Sequence, residues 1–94
     1  MMQTDILATH LNADGVVAAY PVRVKGYQIK PGGTAGQIDL YDNATEASGT
    51  VRLSLDITTN TAVISTIIPG EGIRFTNGVY VDLPTDAAIT VFYG

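Results

Sequence analysis

Hydrophobic and polar residues alternate with a period of two over several segments of this chain. The clearest is Thr50–Ile57, in which every second residue is aliphatic: Val51, Leu53, Leu55 and Ile57. Because successive side chains of a strand point to opposite faces, this pattern predicts a β-strand whose aliphatic face, Val51 included, is buried. The same alternation recurs at Val22–Ile29, Val79–Leu83 and Ile89–Tyr93. No stretch keeps the helical spacing of apolar residues over several turns.

Proline and glycine residues separate these segments. Pro69–Gly72 predicts a tight turn, because proline presets φ and glycine reaches positive φ. Asn77-Gly78 predicts the type I′ turn of a hairpin between the strands on either side. Gly26, inside the longest predicted strand, indicates a β-bulge or a close approach of another backbone segment. Simple alternation along this strand places Val24 and Ile29 on opposite faces.

These segments amount to about eight short strands, with turn signals roughly every 8–12 residues. The β-branched residues Val, Ile and Thr supply 30 of the 94 residues, which suits pleated sheets better than helices. We therefore predict an all-β fold: an antiparallel β-sandwich of jelly-roll type, with a small barrel as the alternative. A chain of this length makes a single domain, 1–94. Within it, residues 1–12 are expected to form either a strand or an extended N-terminal arm, which pairs with its own domain or with a neighbour.

Charge and cysteine content narrow the class of function. Nine acidic and five basic residues give a net charge of −4, and the basic residues are scattered along the chain. Nucleic-acid binding requires clustered positive charge, so no nucleic-acid partner is expected. No apolar run approaches the roughly 20 residues that cross a bilayer, and the first residues lack the features of a signal peptide. The chain has no cysteine, which is compatible with a reducing cytoplasm.

The small size of the chain favours association with a partner. A domain this short has a thin stability margin, which disulfides, metals or partner subunits commonly widen. Disulfides are excluded, and one histidine with scattered acids makes a poor metal site, so self-association or docking on a larger assembly remains. Charged residues make up 15% of the chain, below the roughly 25% of typical soluble domains. A partly covered surface explains this, and so does a polar surface rich in Thr, Ser and Asn.

Few residues offer catalytic or metal chemistry. His10 is the single histidine of the chain, and no serine lies in a nucleophile context. Asp39, Asp42 and Glu46 form the densest acidic run, but their spacing is not that of a calcium loop, and Asp42 is expected in a solvated turn. We therefore expect no enzyme, no cofactor and no metal. A small enzyme or enzyme inhibitor that uses His10, Asp39 and Asp42 is the alternative.

Aromatic residues indicate a contact surface instead. A tyrosine ring buries a large area while its hydroxyl still finds a partner, so tyrosines suit strand packing and subunit interfaces, with sugar stacking as the alternative. Phe92 and Tyr93 are neighbours on one strand, so one of them must face away from the core. The predicted interface joins the N-terminal arm to the aromatic residues: Ile6, Leu7, His10, Leu11, Tyr27, Tyr80, Phe92 and Tyr93.

Five segments carry a family resemblance: Val22–Tyr27, Thr34–Ile38, Ser48–Leu53, Ile68–Phe75 and Val91–Gly94. From Gly15 onward the chain resembles small virion structural proteins of tailed bacteriophages, in particular marine and cyanobacterial podovirus-like phages. The shared motifs are strands and turns, so they are more specific for the fold than for the function.

The resemblance implies a non-enzymatic particle component, namely a capsid decoration or cement protein that stabilises the shell through subunit contacts. Its expected partners are the major capsid protein and copies of itself in a trimer. Its expected location is the capsid surface of the virion, after synthesis in the host cytoplasm. The N-terminal arm would dock on an exposed sheet edge through main-chain hydrogen bonds. The alternative is a tail-associated or surface β-sandwich that recognises host glycans.

Overall fold

The computed structural model describes residues 6–32, 35–57 and 63–94, whose regular structure consists of β-strands. The nine strands are β1 (Leu7–Leu11), β2 (Gly15–Ala18), β3 (Val22–Lys30), β4 (Gly36–Tyr41), β5 (Val51–Ile57), β6 (Ile64–Ile67), β7 (Ile73–Phe75), β8 (Val79–Asp82) and β9 (Ala88–Tyr93). None of the described residues belongs to a helix long and apolar enough to cross a membrane.

The strands form two antiparallel sheets. Sheet A has the order β1-β9-β3-β6, with β7 also paired to β3, and sheet B has the order β2-β8-β4-β5. Because β6 and β7 pair with successive parts of β3, they can be counted as one interrupted strand. The eight strands then follow the orders 1-8-3-6 and 2-7-4-5, which is the strand order of a jelly roll. The predicted all-β antiparallel sandwich is confirmed.

The core lies between the two sheets and is built from the aliphatic residues of the alternating pattern. The largest fully buried side chains are Phe75, Ile29, Ile38, Leu40, Ile89, Val24, Val79, Val81 and Val91. From the edge strand β5, Leu53 and Leu55 pack against this cluster while half-buried. Removal of this apolar area from water, at about 25 cal/mol per Å², is the main favourable contribution to folding.

A β-bulge at Gly26 decides which side chains of β3 face the core. The pairing of β3 with β9 shifts register between Val24 and Gly26, so the predicted bulge is confirmed. The extra residue rotates the second half of the strand, and Val24 and Ile29 are both buried on the inner face. The expectation that they face opposite sides was therefore wrong. The predicted close approach is also present, because a Cβ on Gly26 would lie 2.9 Å from the carbonyl oxygen of Thr66.

The Pro69–Gly72 segment turns without reversing the chain. β6 ends at Ile67, opposite Gly26, and β7 begins at Ile73, opposite Val24. The two strands therefore run one after the other along β3, both antiparallel to it. Residues 68–72 loop out between them, and the Ile68 N–H donates to the carbonyl oxygen of Lys25 at 2.9 Å. The tight turn is thus an insertion within one interrupted strand.

The hairpin predicted at Asn77-Gly78 is wrong. β7 belongs to sheet A and β8 to sheet B, so this turn carries the chain from one sheet to the other. The Asp42 carboxylate accepts the backbone N–H of Thr76 at 3.2 Å and that of Asn77 at 2.7 Å, and so holds the turn in this path. Gly78 has φ +152°, and a Cβ there would lie 2.6 Å from the carbonyl oxygen of Ala18.

The described part of the N-terminal segment pairs within its own domain. All five residues of β1, Leu7–Leu11, have antiparallel partners on β9. They extend sheet A of the same molecule, so of the two alternatives for this segment the described residues form the strand and not an extended arm. The remainder of the predicted arm, residues 1–5, lies outside the described residues, as do parts of two predicted connections, at 33–34 and 58–62.

Candidate functional surfaces

The outer face of sheet A carries an apolar row across four strands. Its members are neighbours in the ladder: Ala8 on β1, Phe92 on β9, Gly26 on β3 and Ile67 on β6. Ile67 is 85% exposed and Phe92 36% exposed. We call these four residues the Phe92 row. Phe92 points away from the core while Tyr93 is buried, which confirms that the two neighbours face opposite sides.

A shallow groove of about 390 Å³ runs along this row. The groove is lined by Ile6, Lys25, Gly26, Ile67, Ile68, Gly70 and Phe92. A side chain at Gly26 would narrow the groove, because its Cβ would lie 3.5 Å from the Phe92 ring as well as against β6. The glycine that allows the bulge therefore also keeps this apolar depression open.

A polar row lies beside the Phe92 row on the same face. His10 Nδ1 and Thr90 Oγ1 are 2.8 Å apart, and Gln28 Nε2 donates to Ser65 Oγ at 3.4 Å. His10 is exposed and its partner is a threonine hydroxyl on the neighbouring strand. This geometry is that of a cross-strand polar pair.

The outer face of sheet B carries a second row that includes two tyrosines. Val16, Tyr80, Tyr41 and Val51 are successive ladder neighbours across β2, β8, β4 and β5. We call them the tyrosine row. Val16 and Val51 are exposed, and the two tyrosines are half-buried. The expected burial of Val51 was wrong, because a register shift between Leu40 and Tyr41 turns Val51 to the outer face.

Three carboxylates lie next to the tyrosine row. Asp39 and Asp82 are direct partners on β4 and β8, and Asp14 accepts the backbone N–H of Leu83 at 2.7 Å. Burial raises the pKa of Asp82, and the neighbouring carboxylates of Asp14 and Asp39 raise it further. We call these three residues the acidic group. Within the described residues, no cluster of His, Cys, Asp and Glu side chains is suited to hold a metal ion.

Asp42 plays a structural part and is separated from the acidic group. Its side chain is buried, contrary to the expected solvated turn, and its Oδ2 lies 3.0 Å from Arg52 Nη2. Burial raises the pKa of Asp42, but hydrogen bonds from Asn77, Thr76 and Arg52 outweigh it and hold the pKa well below its usual range. Asp39 faces outward on β4 and Glu46 lies exposed in the following loop, so the acidic run does not form one site.

The structure brings only part of the predicted interface together. Ile6 and Phe92 line the apolar groove, whereas Tyr80 lies on the opposite sheet. Leu11 and Tyr27 are half-buried and pack against the core. Tyr93 is a core residue whose hydroxyl lies 3.0 Å from Thr9 Oγ1. The exposed predicted residues are Ile6, Leu7, His10 and Phe92.

Several surface residues escaped the sequence prediction. Ile67 is the most exposed large apolar side chain described, and its place beside Phe92 follows from pairing between distant segments. Val51 joins Tyr41 and Tyr80 for the same reason.

Comparison with protein-family models, curated proteins and solved structures finds no significant match to this chain.

Proposed function

We propose that this protein is a non-enzymatic structural component of a bacteriophage particle: a capsid decoration or cement protein that stabilises the shell through subunit contacts. The observation that carries the proposal is the exposed Phe92 row. Exposed apolar side chains that cluster on one face mark an interaction site, whereas apolar residues scattered singly over a surface need no explanation. The jelly-roll strand order is compatible with this role, since capsid domains and lectin domains both use it, but fold alone does not establish function.

In this proposal the groove of sheet A docks on the major capsid protein. The Phe92 ring supplies rigid contact area and Ile67 supplies aliphatic contact area. Gly26 allows a partner side chain to approach the backbone. Aromatic residues at the centre of a contact commonly contribute most of its binding energy. A protein bound across the boundary of two shell subunits would resist their separation. Copies of this chain, in a trimer, would provide the repeated contacts that a shell requires.

The first test measures the copy number. Purified particles would be digested and this protein quantified against the major capsid protein by mass spectrometry with labelled peptides. We expect a fixed ratio that corresponds to many copies spread over the shell. A count of about six or about twelve copies would contradict a capsid location and indicate a tail ring instead.

The second test measures rebinding of purified protein to particles that lack it. We expect Phe92→Ser and Ile67→Ser each to weaken binding by roughly tenfold or more, which corresponds to about 1.4 kcal/mol. Tyr20→Ser is the matched control, because Tyr20 is 50% exposed but lies outside the groove. If Phe92→Ser and Ile67→Ser bound the particles as tightly as Tyr20→Ser, the Phe92 row would be excluded as the contact surface.

A second candidate function is glycan recognition by the outer face of sheet B. Tyr41 and Tyr80 are cross-strand neighbours and lie beside Asp39 and Asp82. Aromatic rings can stack on the apolar face of a sugar while carboxylates accept hydrogen bonds from its hydroxyl groups. A glycan array would test this, with Tyr80→Ala as the variant that loses the signal and Tyr20→Ala as the control. Background signal for the wild-type protein would eliminate the candidate.

A further inference from the structure

Positive charge is concentrated on sheet A. Three of the five basic residues, Arg23, Lys25 and Lys30, lie on β3, and Arg74 lies on β7. The fifth, Arg52, is bound to the buried Asp42. The acidic group lies at the other sheet, where Asp39 and Asp82 belong to β4 and β8. The two outer faces of the sandwich therefore carry charge of opposite sign.

Each of these charged groups is self-repulsive within the molecule. Arg23 and Arg74 are direct partners across β3 and β7, and neither guanidinium forms an ion pair with a described residue. Asp39 and Asp82 are likewise direct partners. Like charges placed opposite each other on neighbouring strands destabilise a sheet. The fold thus maintains two unfavourable pairs of opposite sign.

The two pairs cannot neutralise each other inside one molecule. Val22, Val24 and Phe75 are buried, so the alternating Arg23 and Arg74 point outward from sheet A. Ile38, Leu40 and Val81 are buried, so Asp39 and Asp82 point outward from sheet B. The core separates the two outer faces. Only a second molecule can bring an arginine pair against an aspartate pair.

Apolar rows accompany both charged pairs at similar distances. On β4, Tyr41 of the tyrosine row is two residues from Asp39, or about 7 Å along the strand. On β3, Gly26 of the Phe92 row is three residues from Arg23, and the bulge between them shortens the spacing. Each face thus offers an apolar row next to a charged row.

We propose that copies of this chain associate head to tail, with the acidic group of one copy against the Arg23–Arg74 pair of the next. Contact between two identical faces is disfavoured, because it would place arginines against arginines or aspartates against aspartates. Arginine binds carboxylates through two parallel hydrogen bonds, so the four side chains can pair specifically. Such a contact is heterologous: repeated from copy to copy, it gives a ring if the rotation between copies closes and an open filament if it does not. The inference depends on the charges of this chain and not on its place in a particle.

Sedimentation equilibrium at low and high salt tests the inference. We expect the wild-type protein to exceed the monomer mass at sub-millimolar concentration in about 20 mM salt and to dissociate in about 500 mM salt, because exposed charges are screened. Arg74→Glu and Asp39→Lys should each reduce the association constant by roughly tenfold or more. An equimolar mixture of the two variants should recover association, because each supplies the face that the other lacks.

Matched controls separate this contact from general repulsion. Lys30→Glu makes the same charge change as Arg74→Glu on the same sheet but lies at the far end of β3, and it should leave association nearly unchanged. Asp56→Lys on β5 is the corresponding control for Asp39→Lys. Arg74→Glu should remain folded, because a glutamate opposite Arg23 replaces a repulsive pair by an attractive one.

Three outcomes would overturn the inference. The first is a wild-type protein that stays monomeric at about 500 μM in low salt. If Tyr80-dependent glycan binding were then observed, the outer face of sheet B would be assigned to a sugar. The second is an equal loss of association in Lys30→Glu and Arg74→Glu. The third is a variant mixture that does not recover association. None of these outcomes affects the particle copy number, so failure here is distinguishable from failure of the proposed function.

Discussion

At the scale of single residues, Asp42 has the greatest structural consequence. Its carboxylate accepts hydrogen bonds from the backbone of Thr76 and Asn77 and from the side chains of Thr76 and Arg52. Asp42 itself lies in the loop between β4 and β5, whereas its donors belong to β5 and to the crossover between the sheets. One buried charge therefore fixes the path of the chain from sheet A to sheet B. Its full set of donors compensates for the cost of burial.

We expect Asp42→Asn to lower the free energy of unfolding by about 2–3 kcal/mol, because the variant loses a charged acceptor and leaves buried donors poorly satisfied. Urea unfolding at neutral pH, followed by circular dichroism, measures the change. Asp39→Asn is the matched control, since Asp39 lies on the surface and accepts its hydrogen bond from Ser54 at 2.6 Å. A loss in the control as large as that in Asp42→Asn would contradict this assignment.

The lowered pKa of Asp42 also predicts the direction of the pH dependence. A group whose pKa is depressed by folding stabilises the protein fully above its ordinary pKa, about 4, and loses this effect as pH falls toward the folded value. The stability difference between wild type and Asp42→Asn should therefore be constant from pH 7 to about 5 and shrink below about pH 4. A constant difference down to about pH 2 would contradict the assignment.

Asp82 predicts the opposite direction. Its pKa is raised by burial and by the carboxylates of Asp14 and Asp39, so its contribution is most favourable below the ordinary pKa and is lost as pH rises through the folded value. We expect Asp82→Asn to stabilise the protein at pH 7 by about 0.2–1 kcal/mol, because it removes one of two opposed like charges. The gain should vanish near pH 3 in urea unfolding. A variant less stable than wild type at pH 7 would oppose this interpretation.

At the scale of elements, the insertion between β6 and β7 depends on two glycines with different surroundings. Gly70 has φ +75° and no neighbour within 4 Å of a Cβ position, whereas Gly72 has φ +83° and a Cβ there would lie 2.4 Å from the carbonyl oxygen of Val24. Both residues adopt the left-handed region that glycine tolerates. Only Gly72 is also constrained by contact with β3.

These surroundings predict unequal costs for the same substitution. Gly70→Ala should destabilise the protein by about 1–2 kcal/mol, which is the cost of the left-handed conformation. Gly72→Ala adds a steric conflict with β3 and should cost about 3 kcal/mol or more, or prevent folding. Thermal unfolding of both variants measures the difference. Equal costs would show that β7 can move away from β3 without loss.

The elements also show what the sequence could predict. Alternation predicts β5 and β9 as strands, and on β9 it also gives the buried face. The Asn77-Gly78 hairpin was wrong because a local turn signal cannot reveal that Asp42, about 35 residues away, accepts both N–H groups of the turn. Val51 was misplaced because a register shift depends on the neighbouring strand. Each surface row combines residues from four strands, so the rows depend on pairing that no local pattern encodes.

At the scale of the whole molecule, the fold closes only when the last strand is in place. β9 lies between β1 and β3 in sheet A and pairs with both. It supplies Ile89 and Val91, both fully buried, to the core. The first strand of the chain therefore depends on the last for its only ladder among the described residues. Contacts this distant in sequence make folding cooperative and comparatively slow.

Deletion of residues 88–94 should therefore leave an unfolded or aggregated chain. Loss of a fully buried aliphatic side chain costs about 2–5 kcal/mol. Two such losses, together with two broken ladders, exceed the lower end of the range of about 5–15 kcal/mol that is typical for the free energy of unfolding of a domain. A synthetic peptide of residues 87–94 should restore the β-sheet circular dichroism spectrum and dispersed amide resonances, because it can occupy the vacant place between β1 and β3. The same peptide with Val91→Asp should fail, since it would bury an unpaired charge. A truncated chain that folds without the peptide would show that sheet A can close by pairing β1 directly with β3.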